Sequence, residues 1–192
     1  MKIITDCDGV LLDWAYAFDV WMGQHGHKRL KNTDQYYYQD LRYGITMEES
    51  IQYIQDFNES GCVGFIPAYK DSVEYVTKLN KLGYRFEVVS CLGDDKYSQK
   101  LREKNLKHLF GDVFDFIDCG LSFTEGKYDF LKSKYDGYNY FWIEDSISHA
   151  ISGQKVGLRS VLMNHSYNQE WDGERVNNWK QIYELITNDS TH

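Results

Sequence analysis

The chain opens with MKIITDCDGV, residues 1–10, and the reading of these residues decides what the rest can be. Ile3, Ile4 and the β-branched Thr5 make a short apolar run of the kind that fills a buried strand. The run ends in two acids, Asp6 and Asp8, parted by Cys7 and released by Gly9. Like charges at the end of a buried strand are costly, so either a cation sits between them or they do chemistry. A plainer reading is a turn in which the aspartates accept backbone amide protons. The four residues DCDG alone leave both readings open.

Further along, strands and helices alternate. Trp14 to Gly23 has helical spacing, a polar irregular stretch follows (23–40), and MEESIQYIQDFNES (47–60) reads as a helix. Pro67, the chain's one proline, marks a boundary. Beyond it, DSVEYVTKLNKLG places Val73, Val76 and Leu79 on one helical face, with Gly83 where a helix end belongs. YRFEVVS (84–90), VFDFIDC (113–119), YNYFWIED (138–145) and RSVLMN (159–164) read as strands. Between and after them, residues 96–106, GKYDFLKSKY (126–135), SHAISGQKVG (148–157) and RVNNWKQIYELI (175–186) read as helices. This alternation predicts an α/β fold, a three-layer doubly wound parallel sheet joined by right-handed crossovers. Ligands bind beyond the carboxyl ends of strands in such sheets. Those ends carry Asp6 and Asp8, Ser90, Asp118, and Glu144 with Asp145, so distant polar groups converge on one edge.

Bulk properties narrow the function. A chain of 192 residues suits one domain with an insert, and a hydrophobic fraction of 42% supplies a core. A net charge of −8 argues against a protein that tracks nucleic-acid backbones, although Lys28, Arg29 and Lys31 form a local basic stripe. The four cysteines form no CxxC pair, which suggests free thiols in a reducing compartment. A strand beginning at residue 2 and the lack of a long apolar run predict a cytoplasmic protein without a signal peptide or membrane span.

Carboxylates at one sheet edge can hold a hard divalent cation. Asp6 and Asp145, with Glu144 and the backbone carbonyl of Asp8, are the candidate ligands for Mg2+. Asp6, which caps the strand, suits a nucleophile that forms an aspartyl-phosphate. Asp8, further out on the turn, suits a general acid and base. The aromatic fraction, 16%, is high. Most of the aromatics between Trp14 and Tyr43 suit the core of a small helical unit. Trp14 and Phe18, four apart, are the two placed near a substrate. His25 and His27 read as exposed loop residues.

DCDGVLLDW (6–14) resembles the first motif of the haloacid dehalogenase superfamily of phosphatases, Asp-x-Asp-Gly-Val/Thr. Ser90 in EVVSC resembles the second motif, which binds the transferring phosphoryl group. Lys127, preferred over Lys132 because it follows Gly126 at a helix start, resembles the third-motif lysine. WIEDS (142–146) resembles the acidic fourth motif. The resemblance implies a phosphatase core of residues 1–16 and 67–192 with a helical cap of residues 17–66.

DCDGVLLDW with Phe18, and the segment NHSYNQEWDGERVNNWKQIYELI (164–186), are similar to the 5'(3')-deoxyribonucleotidase group. That similarity implies Mg2+-dependent hydrolysis of nucleoside monophosphates, a small phosphomonoester partner and no nucleic-acid polymer. Two departures stand out: Ser166 precedes Tyr167-Asn168 where that group has proline, and Glu144-Asp145 replaces Asp-Asp. Glu-Asp-Ser is also seen in the superfamily's sugar-phosphate phosphatases and mutases, which gives the alternative substrate class. A dehalogenase has no need of Asp8, and a silent binding module has no need of the whole set.

Overall fold

Residues 1–122 and 125–189 are described by a computed structural model. Its strands are β1 (Lys2–Thr5), β2 (Arg85–Val89), β3 (Phe114–Asp118), β4 (Phe141–Glu144), β5 (Arg159–Met163) and β6 (Arg175–Val176). They form one sheet in the order β3-β2-β1-β4-β5-β6, and every pairing is parallel. The chain builds outward from β1 to β3, then returns to the other side of β1 for β4. The strand order therefore reverses between β1 and β4, where α/β sheets open a crevice.

Period-two alternation assigns each strand residue to a face. Ile3, Phe86, Val88, Ile143 and Val161 share one apolar cluster with residues of α4 (Ser72–Lys81), α5 (Lys96–Phe110) and α8 (Trp179–Asp189). Ile4, Val89 and Trp142 point the other way and pack with Leu131 and Tyr135 of α6 (Tyr128–Tyr135). Leu162 meets Ala150 of α7 (Ile147–Lys155) on that second face. Both faces are thus covered, as the near-continuous apolar strands require. The doubly wound sheet expected from the sequence is the one observed. Among the described residues, no helix is long and apolar enough to cross a membrane.

Glu87 lies on the second face, buried at 4% exposure, because the residue alternation of β2 turns it inward. It is neutralised by Lys2 and by Lys134 at 3.0 Å, and it accepts the Tyr135 hydroxyl at 2.6 Å. Burial alone would push its carboxyl up, but Lys2, Tyr135 and Lys134 together hold it below the usual range. An acid lowered on folding contributes stability above its unfolded value, and that contribution is lost as pH falls through the folded value. Glu87→Gln is therefore expected to cost about 1–3 kcal/mol at neutral pH. The difference from wild type should shrink below the ordinary value of 4.5, as urea melts at pH 7 and pH 4 would measure.

Residues 14–66 form an insert of α1 (Trp14–Gln24), α2 (Gln39–Tyr43), α3 (Met47–Asn58) and a 3-10 turn at Gly61–Phe65. Thr46 and Glu49 start α3 with a reciprocal capping box. The insert's core is aromatic: Phe18 stacks on Trp14 at 4.6 Å and meets Phe57 edge-on at 5.4 Å. The boundary expected between residues 16 and 17 falls inside α1, a single continuous helix. The two chain crossings at its base are tied together instead. Leu12 bridges Ala68, the Asp13 amide donates to Pro67 O at 2.8 Å, and the Tyr69 amide donates to Leu11 O at 3.0 Å.

Two other boundaries differ from expectation. Helix α5 runs to Phe110, whose buried ring extends the apolar face before Gly111 ends the helix. The stretch from Arg175, expected to be helical throughout, begins with β6, and α8 starts only at Trp179. Arg175 is held extended because its guanidinium donates to Asn164 Oδ1, Asn168 Oδ1, Asn168 O and Trp171 O.

Candidate active site

At the carboxyl ends of β1 and β4 the chain gathers its buried charge. The Asp6 amide donates to Ile143 O at 2.8 Å, which locks the two strand ends in register. Asp6, Glu144 and Asp145 each bring one oxygen within 4.8 Å of the others. Lys127, 1% exposed at the start of α6, places its ammonium 2.8 Å from Asp6 Oδ1 and 2.6 Å from Glu144 Oε1. Lys132, the other candidate on this helix, lies over the Tyr128 ring instead. Ser90, 1% exposed, lines the same cavity and is fixed by its amide on Asp118 O at 2.8 Å. Asp118 is spent on a turn, accepting the Gly120 amide, and does not line the cavity.

The carboxylates have distinct surroundings. Asp6 Oδ1 accepts the Cys7 amide at 2.7 Å as well as Lys127, while among the described residues its Oδ2 accepts no hydrogen bond. Glu144 is saturated: Oε1 faces Lys127 and His149, and Oε2 accepts the amides of Asp145 and Ser146. That makes it the anchor for Lys127 and for the turn after β4, with its oxygens already occupied. Asp145 accepts the Tyr167 hydroxyl on Oδ2. Asp8 stands apart from the cluster: its Oδ1 pairs with Arg102 of α5, and its carboxylate is not among the grouped oxygens.

Burial pushes the Asp6 carboxyl up to about 7, with Glu144 and Asp8 adding to the rise and Lys127 opposing it. Burial, then Glu144 and Asp6, raises Asp145 well above its usual range. Glu144 is lowered despite its burial, because Lys127 and His149 face it. Three buried carboxylates thus share one ammonium. A site short of positive charge, with an all-oxygen donor set, fits a hard divalent cation.

Gly9 lies against the Asp145 side chain. It has φ +75°, and a Cβ built there would lie 2.2 Å from Asp145 Oδ2. Gly9→Ala should therefore shift Asp145 and weaken divalent-ion binding by about 10–100-fold, read by calorimetric Mg2+ titration.

Above the carboxylates opens a cavity of about 700 Å³, walled by the insert. Trp14 lines it, its indole fixed by Asn58 Oδ1 at 3.0 Å and by the stack on Phe18. Phe18 itself does not line it. At 1% exposure it is core, a correction to its expected place beside a substrate, because the helix face that opens to the cavity stops at Trp14. Tyr37 and Tyr38 line the cavity, whereas Tyr43 is buried on Asp19. His25 is exposed and rests on Trp21. Arg29 is neutralised by Asp19 and Asp34, which removes the middle cation of the basic stripe.

Sequence reasoning missed several supports. His165 Nε2 reaches Gly9 O at 2.7 Å, and burial lowers its pKa, so a neutral ring carrying its proton on Nε2 donates that bond. Its ring stacks on Tyr167 at 4.9 Å. Asn168 donates to both Asp145 O and Met163 O. These residues follow β5 directly, and their position at a strand end was the available signal. Arg102 gave none, lying within a helix full of lysine and arginine.

No family model matches the chain. Its architecture is the fold of the haloacid dehalogenase-like hydrolases. A haloacid dehalogenase-like hydrolase from Streptococcus pneumoniae superposes with a TM-score of 0.66 at 12% identity, covering 96% of this chain and 97% of the other. A protein from Ehrlichia chaffeensis described as a Had-superfamily hydrolase gives 0.61 at 20% identity, covering 97% and 96%. A D,D-heptose 1.7-bisphosphate phosphatase from B. bronchiseptica, solved with magnesium and phosphate, gives 0.58 at 12% identity and 98% of both chains. In sequence, the chain is 25% identical over 153 residues to an uncharacterized 32.4 kDa protein of Enterobacteria phage T4. The match covers 77% of this chain and 54% of that relative, so the chain spans about half its length.

Proposed function

We propose that this protein is a Mg2+-dependent phosphomonoesterase that hydrolyses nucleoside monophosphates through an aspartyl-phosphate on Asp6. The carrying observation is the floor of the cavity, where Asp6, Glu144 and Asp145 meet around Lys127 beneath an aromatic wall. Asp6, Asp145 and the Asp8 carbonyl would hold the ion. When bound, Mg2+ supplies positive charge that offsets the phosphate oxygens.

The protein's own groups do the rest. Asp6 Oδ2, the oxygen not held by the Cys7 amide and Lys127, attacks phosphorus as the bond to the leaving oxygen breaks. Asp8 gives its proton to that oxygen, then takes one from the water that splits the aspartyl-phosphate and frees Asp6. Lys127 offsets charge on Asp6 and the transferred group, and Glu144 holds Lys127 in place. Ser90 donates to a phosphoryl oxygen. The insert, as a cap over residues 14–66, excludes water.

The substrate's other end is read by the cap wall. Trp14 is a rigid stacking platform, and base–aromatic stacking contributes about 1–3 kcal/mol. Arg42 and Gln39, one turn apart on α2, line the cavity and bring a guanidinium and a carboxamide to its wall. A second reading, a sugar-phosphate phosphatase, is favoured by Ser50 on the same wall, whose hydroxyl suits a sugar hydroxyl group. Phosphate release from nucleoside and hexose monophosphates, with and without Mg2+, tests both. Nucleotide turnover supports the first reading, preference for hexose phosphates supports the second, and release from neither overturns the proposal.

A further inference from the structure

We infer that Arg102 is the positioning residue for the proton-shuttling Asp8, a role that rests on the phosphomonoesterase reading above. Arg102 is 0% exposed, at mid-length in α5. A guanidinium so deeply placed needs hydrogen-bond acceptors, yet this one has few. Its Nη1 donates to Asp8 Oδ1 and lies 3.1 Å from Cys7 Sγ, while Nε and Nη2 have no partner among the described residues. Asp8 is the one carboxylate paired with it among the described residues. As a structural salt bridge the pair is poor, because a buried arginine with two idle donors is better replaced by apolar atoms. The arrangement makes sense when read from the side of Asp8.

Asp8 lies two residues from Asp6, beside a cluster already crowded with negative charge. Arg102 holds its Oδ1, and among the described residues its Oδ2 accepts no hydrogen bond. Asp8 also lines the cavity, with a quarter of its side chain exposed. One oxygen is therefore clamped, and the other is left to give a proton to the leaving oxygen and take one from water. The clamp also turns the Asp8 carboxylate away from the Asp6-Glu144-Asp145 group, so it does not compete as an ion ligand. Helix α5 packs against the turn Gly61–Phe65 at the exit of the insert, which places the clamp on the fixed side of the cap's base.

The test is a double-mutant cycle read on two leaving groups. An alkyl phosphate such as a nucleoside monophosphate needs its leaving oxygen protonated, whereas p-nitrophenyl phosphate has a leaving group that departs without help. Arg102→Met should lower kcat/KM, which reports the steps through departure of the leaving group, by about 10–100-fold on the nucleotide, part of the 10²–10⁴ that general acid catalysis supplies. It should lower kcat/KM on p-nitrophenyl phosphate by only about threefold, whereas kcat also carries the later splitting of the aspartyl-phosphate that both substrates share. In an Asp8→Asn background the same substitution should add nothing, because the group it positions is gone. Circular dichroism and a thermal melt establish that each variant is folded, and Arg102→Lys, which keeps the charge and volume, should recover part of the loss. Equal losses on both leaving groups, or additive losses in the cycle, would overturn the positioning role. Failure of wild type to hydrolyse any phosphomonoester would instead overturn the function itself.

Discussion

Asp6→Asn is expected to lower phosphate release on the order of 10⁵-fold while leaving the protein folded, since removal of a covalent nucleophile has effects of that scale. Asparagine keeps the shape of the side chain and an oxygen able to accept the Cys7 amide at the Oδ1 position. What it loses is a carboxylate oxygen able to form a bond to phosphorus. Stability should change little or rise without metal, because burial already pushes the Asp6 carboxyl up to about 7. A neutral amide there removes a charge that the interior tolerates poorly. Two measurements check this. Steady-state kinetics with Mg2+ give the loss of kcat, and acid-quenched reactions with labelled phosphoester report covalent label on the chain. Wild type should trap label and Asp6→Asn should not. A loss smaller than tenfold, or label retained by the variant, would show that another group is the nucleophile.

Much of the fold was legible because the sheet is buried on both faces. The apolar strands ending in Asp6, Ser90, Asp118 and Glu144 signal both the architecture and the edge where polar groups collect. Asp118 proved to be spent on a turn, away from the cavity. Spacing along a strand end could not reveal which charges pair. It grouped the acids but not their partners: the Asp8 carboxylate pairs with Arg102, and Glu144 faces four donors. The partner of Asp8 lies 94 residues away on a helix whose sequence shows only surface-type charge. Residues 14–66 were harder still. Trp14 and Phe18 share a helix face, but one opens to the cavity and the other fills the core, and packing against Phe57 and Tyr43 decides between them. Helix α2, five residues long, was too short for periodicity to register, yet it carries Gln39 and Arg42.

Lys127→Met should damage both stability and catalysis, and the two losses can be separated. The ammonium is buried between Asp6 and Glu144, whose fields raise its pKa well above the ordinary lysine value despite the opposing effect of burial. Methionine fills the space of the stem but leaves two buried carboxylates facing each other. Breaking a buried pair from one side costs about 3–5 kcal/mol, chiefly the exposure of uncompensated charge. Activity should fall on the order of 10²–10³-fold through loss of charge at the transferring phosphoryl group. If the stability loss is electrostatic, two changes should recover it. Mg2+ should raise the melting temperature of Lys127→Met more than that of wild type, because it brings positive charge to the same oxygens. Glu144→Gln, destabilising in wild type because it unpairs Lys127, should stabilise the Lys127→Met protein by removing one of the repelling anions. Denaturant melts of the four proteins give that change of sign directly. A Glu144→Gln effect of the same sign in both backgrounds would mean that Lys127 acts through packing, and the charge-balanced site inferred at the ends of β1 and β4 would have to be redrawn.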